Sequence, residues 1–221
     1  MPYHWDFHAL IQYRSLLLQG LGVTLLYTVG TVAAGLLIGL FAGLGRISRH
    51  RIVTVPLTAY VEAFRCTPLL VQLVWFYYAM PILVGVDIPA YLAGAIALSL
   101  YVGSFYSEIF RAGVISIERG QWDAGRALGM TRNQCLRRVV LPQAVKRMVP
   151  PFISQSVIQL KNTSLLSVIA VGDLLYQAGA VTSMTYRPLE LYTGVAVLYF
   201  IVLYPLTLAA GGLERQLARA D

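Results

Sequence analysis

A chain of 221 residues that is 57% hydrophobic and 12% charged departs from the balance of a soluble domain, which carries about 25% charged residues. A soluble fold of this length has too little interior to hide so much apolar surface, so lipid is the solvent the composition calls for. The formal charge of +7 does not redirect the reading toward nucleic acid, because the basic residues lie in short stretches between apolar runs and form no stripe interleaved with aromatics.

Residues 1–19 lack the basic start and compact apolar core of a cleaved signal peptide. Tyr3, Trp5, Phe7 and Tyr13 suit an external segment lying at the membrane interface, where amphipathic rings are favoured. A spanning helix needs about 20 mostly apolar residues, since the hydrocarbon core is about 30 Å thick and each residue rises about 1.5 Å. Five stretches qualify: 20–44, one within 53–84, 90–110, 149–171 and 189–211. The expected fold is all-α, a polytopic membrane bundle of five transmembrane helices.

On the first span, Gly30, Gly35 and Gly39 read as close-packing points between helices. In the second, Glu62 and Arg65 are three apart and share a helix face, so they can pair, while Pro68 interrupts the hydrogen-bond ladder and bends the chain. With Thr67 and Gln72 they form a candidate gate; a plain structural ion pair is the other reading, and both stay open. Glu108 and Arg111 repeat the spacing near the end of the third span and read as structural.

Residues 117–148 are too polar for lipid and too patterned for a slack loop. A short helix at 122–128 (WDAGRAL) is broken by Gly129; Thr131 caps a second helix that continues over 133–140, and Leu141–Pro142 is expected to end it. Trp122, Ala127, Leu128 and Met130 offer an apolar anchor with arginines as a polar rim, as in docking surfaces. A self-packed amphipathic loop on the bilayer is the alternative. Beyond it, Lys161 falls about 18 Å into the fourth span. A cation there costs several kcal/mol unless it meets water, a partner or carbonyls. With Asn162, Thr163 and Ser164 it is a candidate lining of a substrate pathway; snorkelling or neutralisation by a neighbouring acid is the rival reading. Asp173 and Tyr176, just past this span, are candidates for contact with an external protein.

The basic residues set the orientation. Arg46, Arg49 and Arg51 follow the first span, Arg119, Arg126, Arg132, Arg137, Arg138, Lys146 and Arg147 the third, and Arg215 and Arg219 the fifth. Only Arg14 and Arg187 lie on the opposite side; Arg65, Arg111 and Lys161 are in or at the edges of spans. Twelve against two puts the N-terminus outside and the C-terminal tail, 216–221, in the cytoplasm. No internal repeat is visible, so five helices fit half of an assembly completed by a partner about a twofold axis. Cys66, Cys135 and the histidines His4, His8 and His50 make no metal-ligand spacing.

The run 121–129 (QWDAGRALG) followed by 139–144 (VVLPQA) resembles the EAA signature of ABC-importer permeases: Glu-Ala-Ala, three residues, Gly, nine residues, Ile, one residue, Leu-Pro. Asp123, Ala124, Gly125, Ala127, Leu128, Gly129, Leu141 and Pro142 thereby become ATPase-coupling residues by resemblance. Asp123 stands where the pattern has Glu, and Gly125 where it has Ala, which loosens that helix by up to about 1 kcal/mol. The runs 18–25, 60–72 and 160–169 resemble span signatures of the polar amino-acid (histidine/glutamine/glutamate/arginine/opine) permeases, and the likeness extends over about 18–215.

The resemblance implies a type I-like transmembrane domain over 20–215, including the 117–148 coupling loop, in a bacterial inner membrane. It also implies a dimer of ATPase subunits, a second permease subunit, the same or homologous, and an extracytoplasmic amino-acid-binding protein. No GxxxxGK[ST] phosphate loop occurs in the sequence, so ATP and Mg are expected on the partner ATPase and no cofactor on this chain. A secondary transporter or channel would leave the glycine elbow unexplained, and a membrane anchor for an enzyme would leave Lys161 without a task.

Overall fold

The computed structural model describes residues 3–218, so Arg219 and the end of the expected tail lie outside the described residues. Among the described residues there are helices and connecting turns and no strand. A short helix α1 (His8–Gln12) precedes α2 (Arg14–Gly45), which begins six residues before the expected 20 because Leu, Arg and Gln extend a helix readily. The last part of the 1–19 segment therefore belongs to the span's own helix. α3 (Arg51–Cys66) ends at Thr67 and Pro68, both in extended conformation, since proline disfavours the helical region for its predecessor. α4 (Leu69–Val74) leaves at 110° to α3 and runs through a π turn at Trp75–Ala79 into α5 (Met80–Val84).

α6 (Ala90–Ile115) is the central helix, packed along α2. Small residues permit that approach: a Cβ on Gly39 would lie 2.5 Å from the Tyr106 Cβ, and Gly35 is held against Val102 in the same way. Gly30, expected to pack likewise, faces open space. α7 (Arg119–Ala127) turns at Gly129 into α8 (Arg132–Cys135), which leads without a break through a π turn at Leu136–Val140 into α9 (Leu141–Asn162). The expected fourth span, 149–171, thus lies in a helix that starts earlier and finishes as a tight 3-10 segment, Thr163–Ile169. Ala170, at φ 58°, ends it; α10 (Leu174–Thr185) and α11 (Pro188–Ala218) follow.

Among the described residues three helices, α2, α6 and α11, are each long and apolar enough to cross a membrane, and the number rises to five when each of the two bent pairs, α3 with α4–α5 and the α8–α9 run with α10, is counted as one span. A buried polar knot joins the middle of the bundle: Gln159 Nε2 donates to Thr31 Oγ1 at 3.1 Å and to the Leu98 carbonyl at 3.3 Å, linking α9, α2 and α6. Tyr106 and Ser156 hydroxyls share a hydrogen bond of 2.7 Å beside the Phe152 ring, fixing α9 to α6 a turn further along.

Candidate functional site

The segment between α6 and α9 is a folded elbow. Gly129 takes φ 73°, a left-handed conformation that suits glycine, and the amides of Gly129 and Met130 turn back onto the carbonyls of Arg126 and Gly125. Thr131 then caps α8, its hydroxyl accepting from the Gln134 amide while the Gln134 side chain accepts from the Thr131 amide, as the sequence leads one to expect. The inner face is a small core of Ile117, Cys135, Val140, Ala144 and Met148, on which Trp122 and Met130 pack. Trp122 and Met130 therefore turn inward, away from the outer surface where they were expected to serve as anchor. The outer face presents Asp123, Ala124, Ala127 and Leu128, the last with 81% of its surface exposed.

Gly125 is buried, and a Cβ there would lie 2.6 Å from the Cys135 Sγ. Where the family pattern has Ala, this chain has a glycine that makes room for a cysteine on the facing helix. Pro142 does not terminate the second short helix, as expected, but is carried inside the helical run from α8 into α9, directly after the π turn. The wider π turn just before it takes up the step in the ladder. The elbow is consequently the head of α9, braced by Arg147 donating to the Ser116 carbonyl at 2.6 Å.

Glu62 and Arg65 do not pair with each other. Arg46, at the end of α2, reaches Glu108 at 2.8 Å and Glu62 at 3.8 Å, while Arg65 lies 3.8 Å from Glu108 and stacks over the Phe105 ring. Arg111 pairs with Glu108 along α6, as its spacing suggests. One carboxylate, Glu108, thus gathers three arginines from three helices. Helical spacing alone shows who is near on one helix, and these partners are supplied by neighbours.

At the α3–α4 break, Gln72 Nε2 donates to the Phe64 and Thr67 carbonyls at 2.9 and 3.1 Å and to Thr67 Oγ1 at 2.6 Å, tying both ends of the bend. Thr67 and Gln72 line a largely apolar cavity of about 650 Å³ with Phe64, Val71, Trp75, Phe76 and Leu100. The Gln72 Oε1 is buried and unpartnered. Pro68 lies in the bend itself. Residues 161–164 do not share one surface: Lys161 is exposed on the outer side of α9 and makes no ion pair among the described residues. Thr163 is buried with its hydroxyl on the Leu160 carbonyl, and Ser164 bonds back to the Lys161 carbonyl. Asp173, a candidate for contact with an external protein, is instead fully buried and caps α10 by accepting from the Tyr176 amide; Tyr176 remains exposed.

Known proteins share this architecture and its sequence. The family model for the inner membrane component of binding-protein-dependent transport systems matches residues 35–220. The glutamine transport system permease of Escherichia coli K12 is 35% identical over 214 residues, covering 96% of this chain and 98% of that protein. The arginine transport system permease of Bacillus subtilis strain 168 is 34% identical over 219 residues, covering 98% and 99%. The crystal structure of an amino acid ABC transporter with histidines aligns at a TM-score of 0.90 with 36% identity, over 97% of this chain and 100% of that one. On sequence and fold together, the chain belongs to the family of binding-protein-dependent transport system inner membrane components, as a permease subunit of an ABC importer.

Proposed function

We propose that this subunit carries amino acids inward across the bacterial inner membrane, with two such chains, identical or homologous, enclosing the route. A pair of ATPase subunits holding ATP and Mg grips the outer face of the elbow, and an extracytoplasmic amino-acid-binding protein delivers the substrate on the opposite side. The relatives named for glutamine and arginine, and the transporter crystallised with histidines, support an amino acid as cargo.

The observation that carries this reading is the continuity of the elbow with α9. Its outer face is bare, its inner face packs across the Gly129 turn onto Cys135, Val140 and Ala144, and α8 runs through the π turn into the helix bearing Gln159 and Lys161. A push on Asp123, Ala124, Ala127 or Leu128 is therefore delivered to the middle of the bundle as movement of a rigid element, biasing one packing of the helices over another. The α3–α4 bend supplies a gate: Thr67 and Gln72 clasp it beside the adjoining apolar cavity. A gradient-driven transporter or passive channel gives the packed elbow nothing to do.

The test is uptake of labelled glutamine, arginine and histidine by vesicles holding the chain with its co-purifying ATPase and binding protein. Uptake of at least one of them that needs hydrolysable ATP is the expected result. Equal uptake without nucleotide, or uptake following an imposed ion gradient, would refute the reading.

A further inference from the structure

The start of the described chain is fastened to the far end of the sequence by a buried acid. Glu190, in the first turn of α11, has no solvent exposure. Tyr3 Oη donates to its Oε2 at 2.5 Å, the Asp6 amide donates to Oε1 at 3.0 Å, and Arg187 Nη1 donates to Oε1 at 3.3 Å. Arg187 also donates to the His4 carbonyl at 3.0 Å. One turn further along α11, Leu10 of α1 fills the space over Gly194. A buried carboxylate is tolerated only when charge-assisted hydrogen bonds surround it, and here residues 3–6 supply two of the three donors. The hydrogen bond to Glu190 raises the Tyr3 phenol above its ordinary value.

The fastened arm displays a ladder of rings. Tyr3 meets Trp5 edge-on at 5.5 Å and Trp5 stacks on Phe7 at 5.6 Å, with 45–51% of each residue exposed. Glu190 is the third residue of the apolar stretch Pro188–Leu213, so the rings are pinned beside the start of a helix long and apolar enough to cross a membrane. Leu189, the residue of α11 that precedes Glu190, is itself half exposed. Aromatic rings with polar edges partition to the headgroup layer. We infer that residues 3–7 form a bilayer-surface anchor whose ring ladder lies among the lipid headgroups and is held there by Glu190.

The experiment uses the full chain with its partner subunits in phosphatidylcholine vesicles. The emission lost in Trp5→Phe isolates the Trp5 signal from those of Trp75 and Trp122. That signal is expected to fall by half or more with lipids brominated near the headgroup, and by much less with aqueous iodide. Free quenching by iodide with no response to brominated lipid overturns the anchor. So does full shielding from iodide in detergent that appears only when the soluble binding protein is added, since the rings would then belong to that protein's dock. Glu190→Gln is expected to reverse the pattern, making Trp5 at least twofold more sensitive to iodide. Tyr3→Phe, which removes a single hydroxyl, is expected to give an intermediate shift should the first variant fold poorly. An unchanged Trp5 signal in both variants overturns the role of Glu190.

Discussion

At the scale of single residues, the elbow depends on a fitted pair. Gly125 weakens α7 by up to about 1 kcal/mol in intrinsic helix propensity, yet the Cys135 Sγ occupies the place where its Cβ would go. Cys135 is buried among Ile117, Val140 and Ala144 and has little room to retreat. Forcing a methyl into such a core costs about 1–3 kcal/mol, which exceeds the propensity gain. Gly125→Ala is therefore expected to destabilise the elbow by about 1 kcal/mol net. Removing the sulfur with Cys135→Ala leaves a Cβ–Cβ approach of 3.3 Å and the Met130 Sδ at 3.7 Å, which a shift of a few tenths of an ångström relieves, so in that background the same change becomes neutral or stabilising. Thermal unfolding of the unaltered chain, the two single variants and the double variant in detergent checks this: the sign of the Gly125→Ala effect must depend on Cys135. Two additive losses would show that the glycine serves something other than the cysteine.

At the scale of elements, α2, α3 and α6 are joined at their basic ends through Glu108. Its side chain is 25% exposed with three arginines around it, whereas Glu62 is 53% exposed with one arginine at 3.8 Å. Hydrogen bonds to charged groups contribute about 1.5–3 kcal/mol, and exposed ion pairs about 0–1 kcal/mol. Glu108→Gln is expected to cost about 2 kcal/mol, and Glu62→Gln less than about 1 kcal/mol. The latter loss should vanish in high salt. Melting midpoints of the solubilised complex at low and high ionic strength separate the two; equal losses would mean the helices are held by packing alone. The sequence carried part of this cluster openly. Glu108–Arg111 follows from helical spacing, and the Thr131–Gln134 cap and the Gly129 reversal follow from local chemistry. Local rules failed where the partner comes from another helix, as for Glu62 and Arg65, and where a π turn absorbs a proline, as before Pro142.

At the scale of the whole molecule, hydropathy makes the bundle legible, because burial in lipid is a property of each segment by itself. The contacts that close the structure are of another kind. Glu190 meets Tyr3 from 187 residues away and Gln159 meets Thr31 from 128; nothing in a local pattern marks such pairs, whereas Asp173 caps the Tyr176 amide three residues on and only its burial is hidden from the sequence. Lys161 is the residue where the single chain is incomplete. It is exposed on α9 with no acid beside it among the described residues, in a molecule whose outer surface is largely apolar. A cation against hydrocarbon costs about 2.5–3.5 kcal/mol, which favours a second copy or a water-filled route over lipid as its neighbour. If the route is its place, Lys161→Met removes a charge the cargo passes and leaves the packing of α9 intact. Uptake in the reconstituted complex is then expected to fall about tenfold, a barrier raised by about 1.4 kcal/mol. Lys161→Arg should recover part of it, and co-purification of the partner subunits should be unchanged in both. Loss of the partners along with uptake would place the lysine at a subunit contact. Normal uptake in Lys161→Met would leave it a snorkelling residue with no part in transport.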